Sequence, residues 1–432
     1  MLENIKQKTL LNGLKVICLK KSDAPIVSVQ VWYKTGSFNE RDGIRGVSHF
    51  LEHLMFRGTA NMPDEEHSLR INELGGHCNA FTAEDVTAFL NSVPKDGLDM
   101  ALGFEADRMD GLTLDAAVFE AERRVMIEEY HTYMNNPMTR AFLEFRSEFF
   151  GNHPYSHSPL GTIEDLQSVT VDECRKYYRS WYVPQNAVLV IVGDFQSEEE
   201  IFERAEKYFG EKSGAVINDS INNIEFTVPD GIHEMQRSVD FNIPALVCGF
   251  PAPSSSNEDA LALDILQTAL SGGESSRLYR EMVRKKSVAV MAGGMNQLFA
   301  RAGMSMFIAV FTPDMPFTKV KNELNRQIDI IKNDGITDNE FQKVKNAILT
   351  SRVFELHGAE NIAQRIGFGE TLEGDYRLWA RRLDELKKMD KSALTEIARR
   401  YWSGSKMHSL YLKPQKMNPM LLGAGLIRRI FK

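Results

Sequence analysis

The feature that most constrains this sequence is a repeat, because its second half runs through the same order of elements as its first half. Residues 171–192 predict a helix, a Pro-Gln-Asn turn and a β-branched strand, and residues 391–412 predict a helix, a Ser-Gly-Ser turn and another strand. In this register the Trp-Tyr pair at 181–182 lies opposite the Tyr-Trp pair at 401–402, an offset of 220 residues.

Two further matches occur in the same order. The strand SVQVWYKTG (28–36) corresponds to ALVCGFPAP (245–253), and a helical stretch at 64–74 corresponds to one at 275–285. Three ordered matches predict duplicated halves. Many strands are joined without a crossover helix, so we expect an α+β fold of two homologous domains, each a largely antiparallel sheet packed with helices.

The predicted boundaries follow from composition. Residues 214–231 are rich in Asn, Asp, Gly and Pro and predict a linker. We therefore expect an N-terminal domain at 1–213, a linker at 214–231 and a C-terminal homologous domain at 232–432. A chain of 432 residues is also longer than one ordinary core, which agrees with two domains.

Charge and hydropathy exclude other classes of protein. A net charge of −8 leaves no basic surplus for phosphates, so no nucleic-acid partner is expected. The sequence contains no apolar run of membrane-spanning length and does not begin like a signal peptide, which predicts a cytoplasmic location. The apolar and basic tail at 420–432 could touch a membrane or a partner, but a frayed terminus is favoured, so membrane association is not expected.

The stretch HFLEH at 49–53 carries the chemistry. Residues at i and i+4 of a helix project from one face, so His49 and His53 can direct ring nitrogens at one point, with Glu52 beside them. Zinc binds imidazole nitrogens and keeps a position for water, from which Glu52 could take a proton as the general base. The alternative is two histidines on a solvated helix face.

A second acidic segment supports the metal interpretation. In FEAERRVMIEEYH (119–131), Glu122 and Glu129 are seven residues apart and share a helix face, whereas Glu128 points about 100° away. Glu129 can supply the third protein ligand of a zinc ion, and Glu122 can steady a ligand from outside the coordination sphere. An ordinary charged helix surface accounts for Glu128.

These motifs resemble those of the pitrilysin (insulinase) family of zinc peptidases, whose signature H-x-x-E-H inverts the thermolysin-type order. The likeness is to the half-size bacterial branch, which is similar to the β subunit of the mitochondrial processing peptidase. The resemblance implies one zinc ion per chain held by His49, His53 and Glu129, with Glu52 as general base and Glu122 as the supporting glutamate. It runs through GVSHFLEHLMFRGT (46–59), LGGHCNAFTAEDVTAF (74–89), ERRVMIEE (122–129), HPYSHSPLGTIEDL (153–166) and YVPQNAVLVIVGDF (182–195).

The same resemblance assigns a role to Asn79, Ala80, Phe81 and Thr82. These residues are similar to the edge strand of the family, on which a substrate peptide lies as an added strand. Backbone pairing would hold an extended peptide near the zinc, while pockets for side chains would set preference.

The sequence departs from the family pattern in its second half. There the family has an Arg and a Tyr seven residues apart that face the zinc, but SSRLYREMVRKKSVAV (275–290) places Val283 and Val290 at those positions. A shift of one residue brings in Arg284, yet Met291 then stands where Tyr is needed. In two-subunit relatives one chain carries the zinc motif and its homologous partner carries the Arg/Tyr pair.

We therefore expect the metal-bearing subunit of a heterodimeric zinc endopeptidase that acts on extended peptides or small unfolded proteins. One alternative is a homodimer in which Arg277 or Arg284 replaces the missing pair. Another is a non-catalytic core subunit, like those of a respiratory complex that share the fold, although such proteins commonly lose the zinc residues.

Overall fold

In the computed structural model, residues 4–213, 226, 233–240 and 243–415 are described. Apart from residue 226, the predicted linker at 214–231 lies outside the described residues, and so does the tail at 420–432. The predictions for these two segments therefore stay predictions.

The described residues form eleven strands, fourteen α-helices, one π-helix and several short 3-10 turns. The strands are β1 (Lys6–Thr9), β2 (Lys15–Lys20), β3 (Ile26–Tyr33), β4 (His77–Thr82), β5 (Thr87–Pro94), β6 (Ala187–Gly193), β7 (His233–Val239), β8 (Ala245–Ala252), β9 (Met291–Leu298), β10 (Gly303–Val310) and β11 (His408–Pro414). The α-helices are α1 (Val47–Leu54), α2 (Glu66–Glu73), α3 (Leu98–Asp110), α4 (Ala116–Met134), α5 (Pro137–Phe150), α6 (Ile163–Ser168), α7 (Val171–Trp181), α8 (Glu198–Phe209), α9 (Ala260–Ser271), α10 (Phe317–Asp334), α11 (Asp338–Glu355), α12 (Gly358–Leu372), α13 (Leu378–Lys388) and α14 (Ser392–Tyr401). The π-helix is Tyr279–Lys285.

The chain forms two compact units, each assembled from segments that are not contiguous. The first unit contains the described residues of Met1–Tyr133, Asn152–Ile224 and Arg352–Arg381, and the second those of Met134–Gly151, Glu225–Ser351 and Arg382–Lys432. The two domains predicted at 1–213 and 232–432 are continuous segments, whereas each compact unit combines several segments. The predicted boundaries of the two homologous halves therefore stay a prediction.

The first unit is built on a six-stranded sheet of order β1-β2-β6-β3-β5-β4. Among its described pairs, only β2 and β6 run parallel, and all others are antiparallel. The central strands β3 and β6 are rich in β-branched residues and almost entirely buried, because both faces of the sheet are covered. The edge strand β4 pairs with β5 on one side and has no described strand on the other.

Helices from different parts of the chain cover the two faces of this sheet. One face packs on the cluster that includes α1, α3, α4, α7 and α8. On the other face Trp32 and Val190 pack against Ile362 and Ile366 of α12. A Cβ at Gly367 would lie 2.1 Å from the Trp32 ring, so glycine is needed at this point of close approach.

The second unit repeats the sheet with one strand fewer, in the order β7-β11-β8-β10-β9. Strand β11 is parallel to β7 and antiparallel to β8, as β6 is to β2 and β3. The helix–turn–strand pair α7–β6 therefore has its counterpart in α14–β11, and β3 has its counterpart in β8. The predicted α+β fold, with two homologous and largely antiparallel halves, is confirmed.

Among the helices that the structure describes, none combines the length and the apolar character that a membrane crossing requires.

Candidate metal centre

Helix α1 presents the two histidines of HFLEH. Its apolar positions face the core, which turns His49 and His53 away from it; the buried apolar residues are Val47, Phe50, Leu51 and Leu54. The helix begins after Gly46, whose φ of 95° suits glycine. Because Gly46 offers no capping side chain, the buried carboxylate of Glu40 accepts hydrogen bonds from the backbone N–H groups of Gly46 at 2.6 Å and Ser48 at 2.9 Å.

Helix α4 brings Glu129 to the two histidines. The Oε2 atom of Glu129 lies 3.8 Å from Nε2 of His49 and 3.5 Å from Nε2 of His53. One ligand atom from each of the three residues lies within 4.8 Å of the others. Donors bound to a tetrahedral zinc at about 2.0–2.1 Å stand roughly 3.4 Å apart. The His–His–Glu set suits zinc in its chemistry, and the two distances from Glu129 to the imidazoles are close to that spacing.

Glu122 lies behind the histidines and is not one of the three donors. Its Oε1 atom is 2.8 Å from Nδ1 of His53, and its Oε2 atom accepts a hydrogen bond from Nε of Arg57 at 2.7 Å. Burial alone would raise the pKa of Glu122, but the hydrogen bonds from His53 and Arg57 outweigh it and hold the pKa below its ordinary value. A carboxylate acceptor requires the proton of His53 on Nδ1, which leaves the Nε2 lone pair toward Glu129.

His49 is also in a suitable state to bind metal. Burial, together with the neighbouring His53, lowers the pKa of His49 to about 4, so its imidazole is neutral at pH 7. The rings of the two histidines are perpendicular, with centroids 4.8 Å apart. Among the described residues, Nδ1 of His49 has no hydrogen-bond partner, so the two imidazole rings differ in how firmly they are held.

Glu52 lies beside the donors and contacts the edge strand. Its Oε2 atom accepts a hydrogen bond of 2.7 Å from the hydroxyl of Thr82, the last residue of β4. Burial raises the pKa of Glu52, although the Thr82 hydroxyl opposes that shift. The hydrogen bond from Thr82 therefore connects β4, to which a peptide could add as a further strand, with Glu52, whose carboxylate could take a proton.

The predicted substrate strand is at the edge of the first sheet. Residues Asn79–Thr82 belong to β4, where Ala80 lies opposite Phe89 of β5. Ala80 packs toward the core beneath α1, whereas the Phe81 ring contacts Trp32 on the other face. A cavity of about 730 Å³ opens beside β4, lined by Glu52, His53, Phe56, Arg57, Cys78, Asn79 and Ala80 among others.

The second unit does not offer another such centre within the residues that the structure describes. Val283 lies in the π-helix and packs against the core of that unit. The guanidinium of Arg277 is buried and bound to Glu340, with one Nε–Oε1 distance of 3.0 Å. Arg284 is exposed and lies 3.7 Å from Glu274.

Reasoning from the sequence missed Arg57, Glu40 and the hydroxyl role of Thr82. Arg57 follows His53 by four residues but lies beyond the end of α1, so the helical spacing rule that selected the histidines does not place it. Glu40 and Thr82 give no local signal, because their contacts depend on how a loop and a strand meet α1. Glu128 is exposed, as the charged-surface interpretation predicts.

Two models of one protein family match this chain. Residues 15–163 match the family model described as insulinase, peptidase family M16, and residues 168–348 match the model described as the peptidase M16 inactive domain. The duplicated fold and the donor set thus define a peptidase of the metal-dependent kind. The chain belongs to the insulinase family, M16, which confirms the predicted resemblance.

Individual relatives agree over nearly the full length. The chain is 28% identical to the zinc protease PqqE of Helicobacter pylori, covering 94% of this chain and 92% of the relative. It is 26% identical to the uncharacterized zinc protease YmxG of Bacillus subtilis, covering 92% and 96%. The crystal structure of a protease from Helicobacter pylori has a TM-score of 0.89 at 27% identity, covering 95% of this chain and 99% of that one.

Proposed function

We propose that this chain is a zinc endopeptidase that hydrolyses peptide bonds in extended peptides or small unfolded proteins. The observation that carries the proposal is the group of His49, His53 and Glu129, whose ligand atoms lie within 4.8 Å of one another. We propose one zinc ion per chain, and the match of residues 168–348 to a domain described as inactive supports that number. The names of the two relatives, both zinc proteases, support the same metal.

The residues of this chain divide the work of peptide hydrolysis. A bound zinc ion supplies Lewis acidity that polarises a carbonyl and acidifies water. Glu52 takes the proton of the attacking water and delivers it to the leaving amine. Thr82 holds one oxygen of Glu52 and so keeps the other directed at the reacting atoms. Glu122 holds the ring of His53 in its binding tautomer.

The edge of β4, which has no strand beside it in the described part of the chain, supports the choice of substrate. An extended peptide can add to this edge through backbone hydrogen bonds, which do not depend on its sequence. A folded protein has no free extended segment to offer, so unfolded chains are favoured. Asn79, Ala80, Phe81 and Thr82 would then contact the substrate, and the adjoining cavity would receive one of its side chains.

The chain further needs a homologous subunit that carries an Arg/Tyr pair. Cleavage develops negative charge on the substrate carbonyl oxygen, and donors aimed at that oxygen contribute strongly to the rate. Val283 and Val290 have no donor to offer, and Arg277 is bound to Glu340. These observations favour a heterodimer over a self-sufficient homodimer.

Metal content and cleavage together test this function. The purified chain should bind one zinc per chain, and His49→Ala/His53→Ala should bind none, while His131→Ala on the exposed side of α4 serves as the matched control. Hydrolysis of an unfolded reporter peptide should be slow or absent with the chain alone and should appear when the Arg/Tyr-bearing homologue is added. Full zinc occupancy in the double variant would refute the metal site, and efficient cleavage by the chain alone would favour the homodimer. A chain that binds no zinc would be a scaffold subunit.

A further inference from the structure

Arg57 lies between the metal centre and the rim of the adjoining cavity. It stands three residues beyond the end of α1, and its side chain is 30% exposed. Its Nε donates to Oε2 of Glu122 at 2.7 Å, and its Nη1 donates to Oε1 of Glu65 at 2.9 Å. Asp64 is the other carboxylate in range, at 3.6 Å. The guanidinium therefore joins a buried carboxylate to two carboxylates that are much more exposed.

We propose that Arg57 is a positioning residue for the metal centre, acting on His53 through Glu122. The inference rests on the proposed function, because it concerns the same zinc ligands. Three consecutive contacts carry it: Arg57 Nε to Glu122 Oε2 at 2.7 Å, Glu122 Oε1 to His53 Nδ1 at 2.8 Å, and His53 Nε2 to Glu129 Oε2 at 3.5 Å.

The physical effect of Arg57 is to fix the plane of the Glu122 carboxylate. The terminal torsion of a glutamate is soft, so a carboxylate held at one oxygen can still turn about its last bond. A second charged donor on the other oxygen removes that freedom. The Glu122 side chain is only 4% exposed, so water is a poor substitute for the guanidinium. Once the carboxylate is fixed, the imidazole that it holds is fixed, and with it the direction of the Nε2 lone pair.

The two histidines give an internal contrast. His53 has this outer support, whereas Nδ1 of His49 has no hydrogen-bond partner among the described residues. The pre-organisation of the centre therefore depends on the His53 side. Loss of outer contacts of this kind weakens metal affinity by about 10- to 100-fold in other proteins.

A purely structural role for Arg57 makes a different prediction. Its bonds to Glu65 and Asp64 tie the end of α1 to the following loop, and they do not involve the zinc ligands. If that tie were the whole role, breaking the rim contact would matter as much as removing Arg57. Glu65→Ala removes the acceptor of the 2.9 Å rim contact and leaves the contact to Glu122 in place, so it is the matched control.

The experiment measures zinc dissociation constants of the full chain by competition with a chromogenic chelator. Arg57→Met should bind zinc about 10-fold more weakly than the wild type, whereas Glu65→Ala should bind as the wild type does. Arg57→Lys, which retains a charged donor, should recover most of the loss. If Arg57 acts through Glu122, then Arg57→Met should add little to the effect of Glu122→Gln in the double variant.

Several results would overturn the inference. Wild-type affinity in Arg57→Met would do so, as would equal losses in Arg57→Met and Glu65→Ala, or losses that add in full with Glu122→Gln. If Arg57→Met does not fold, Arg57→Gln replaces it, with the same loss expected and the same outcome deciding. A wild-type chain that binds no zinc refutes the proposed function and the inference together, whereas normal wild-type binding with an unaffected Arg57→Met refutes the inference alone.

Discussion

Replacing Glu122 by Gln tests the outer support of the metal centre most directly. The amide has the shape of the carboxylate but one acceptor in place of two. In the structure both carboxylate oxygens are used, one facing Nδ1 of His53 and the other facing Nε of Arg57. Glu122 is buried, so water cannot readily replace the carboxylate oxygen in either contact.

Each orientation of the new amide either opposes one neighbour or changes the tautomer of His53. If its oxygen faces His53, its NH₂ group opposes the N–H of Arg57, donor against donor. If its oxygen faces Arg57, its NH₂ group faces Nδ1 of His53, and the ring proton must move to Nε2, the atom that should bind metal. A buried charged group without its partner costs about 1.5–3 kcal/mol, which corresponds to a loss of roughly 10- to 100-fold in zinc affinity.

Chelator competition on the purified chain measures that loss. Glu128→Gln is the matched control, because Glu128 is exposed on the same helix and should leave zinc affinity unchanged. Circular dichroism of the metal-free proteins checks that both variants fold. Wild-type zinc affinity in folded Glu122→Gln would refute the reasoning, because it would mean that the ring of His53 needs no outer acceptor.

Three further predictions address the centre and the second unit. Glu52→Gln should retain zinc but reduce cleavage by several orders of magnitude in the active assembly, because an amide cannot take the proton of water; wild-type turnover would remove Glu52 as the base. His53→Ala should lose more zinc affinity than His49→Ala, because Glu122 holds the ring of His53 whereas Nδ1 of His49 has no hydrogen-bond partner among the described residues. Metal analysis after dialysis against a chelator measures both losses. Burial opposes ionisation of Glu340, but Arg277 outweighs it and brings the pKa of Glu340 to about 2, from a usual 4.5. The stabilisation that the ionised Glu340 gives the fold should be complete above pH 4.5 and disappear as the pH falls toward 2. Glu340→Gln should flatten this part of the profile of stability against pH, measured by acid unfolding.

Local sequence patterns predicted the features that lie within one helix or within one helix–turn–strand repeat. The spacing of His49 and His53 follows from the helical repeat, and the repeat of helix, turn and strand predicted both sheets. Glu129 was assigned from its spacing and the family resemblance, and the structure brings it to the two histidines. Its role as a ligand remains a proposal.

Contacts between distant segments could not be predicted in this way. The hydroxyl of Thr82 reaches Glu52 only because β4 ends beside α1, and Glu40 reaches the start of α1 through the path of a loop. Local patterns also do not predict that each compact unit combines segments from distant parts of the chain, because this depends on which sheet face each helix covers.

Helix α12 has a consequence for how the chain acquires its structure during synthesis. It belongs to the first unit, where Ile362 and Ile366 cover a sheet face that carries Trp32 and Val190. A nascent chain makes its N-terminal segments first, so this apolar face is complete long before the helix that covers it leaves the ribosome. The first unit can therefore finish folding only after α12, at Gly358–Leu372, has been made. Until then its exposed sheet is a surface for chaperones or for aggregation.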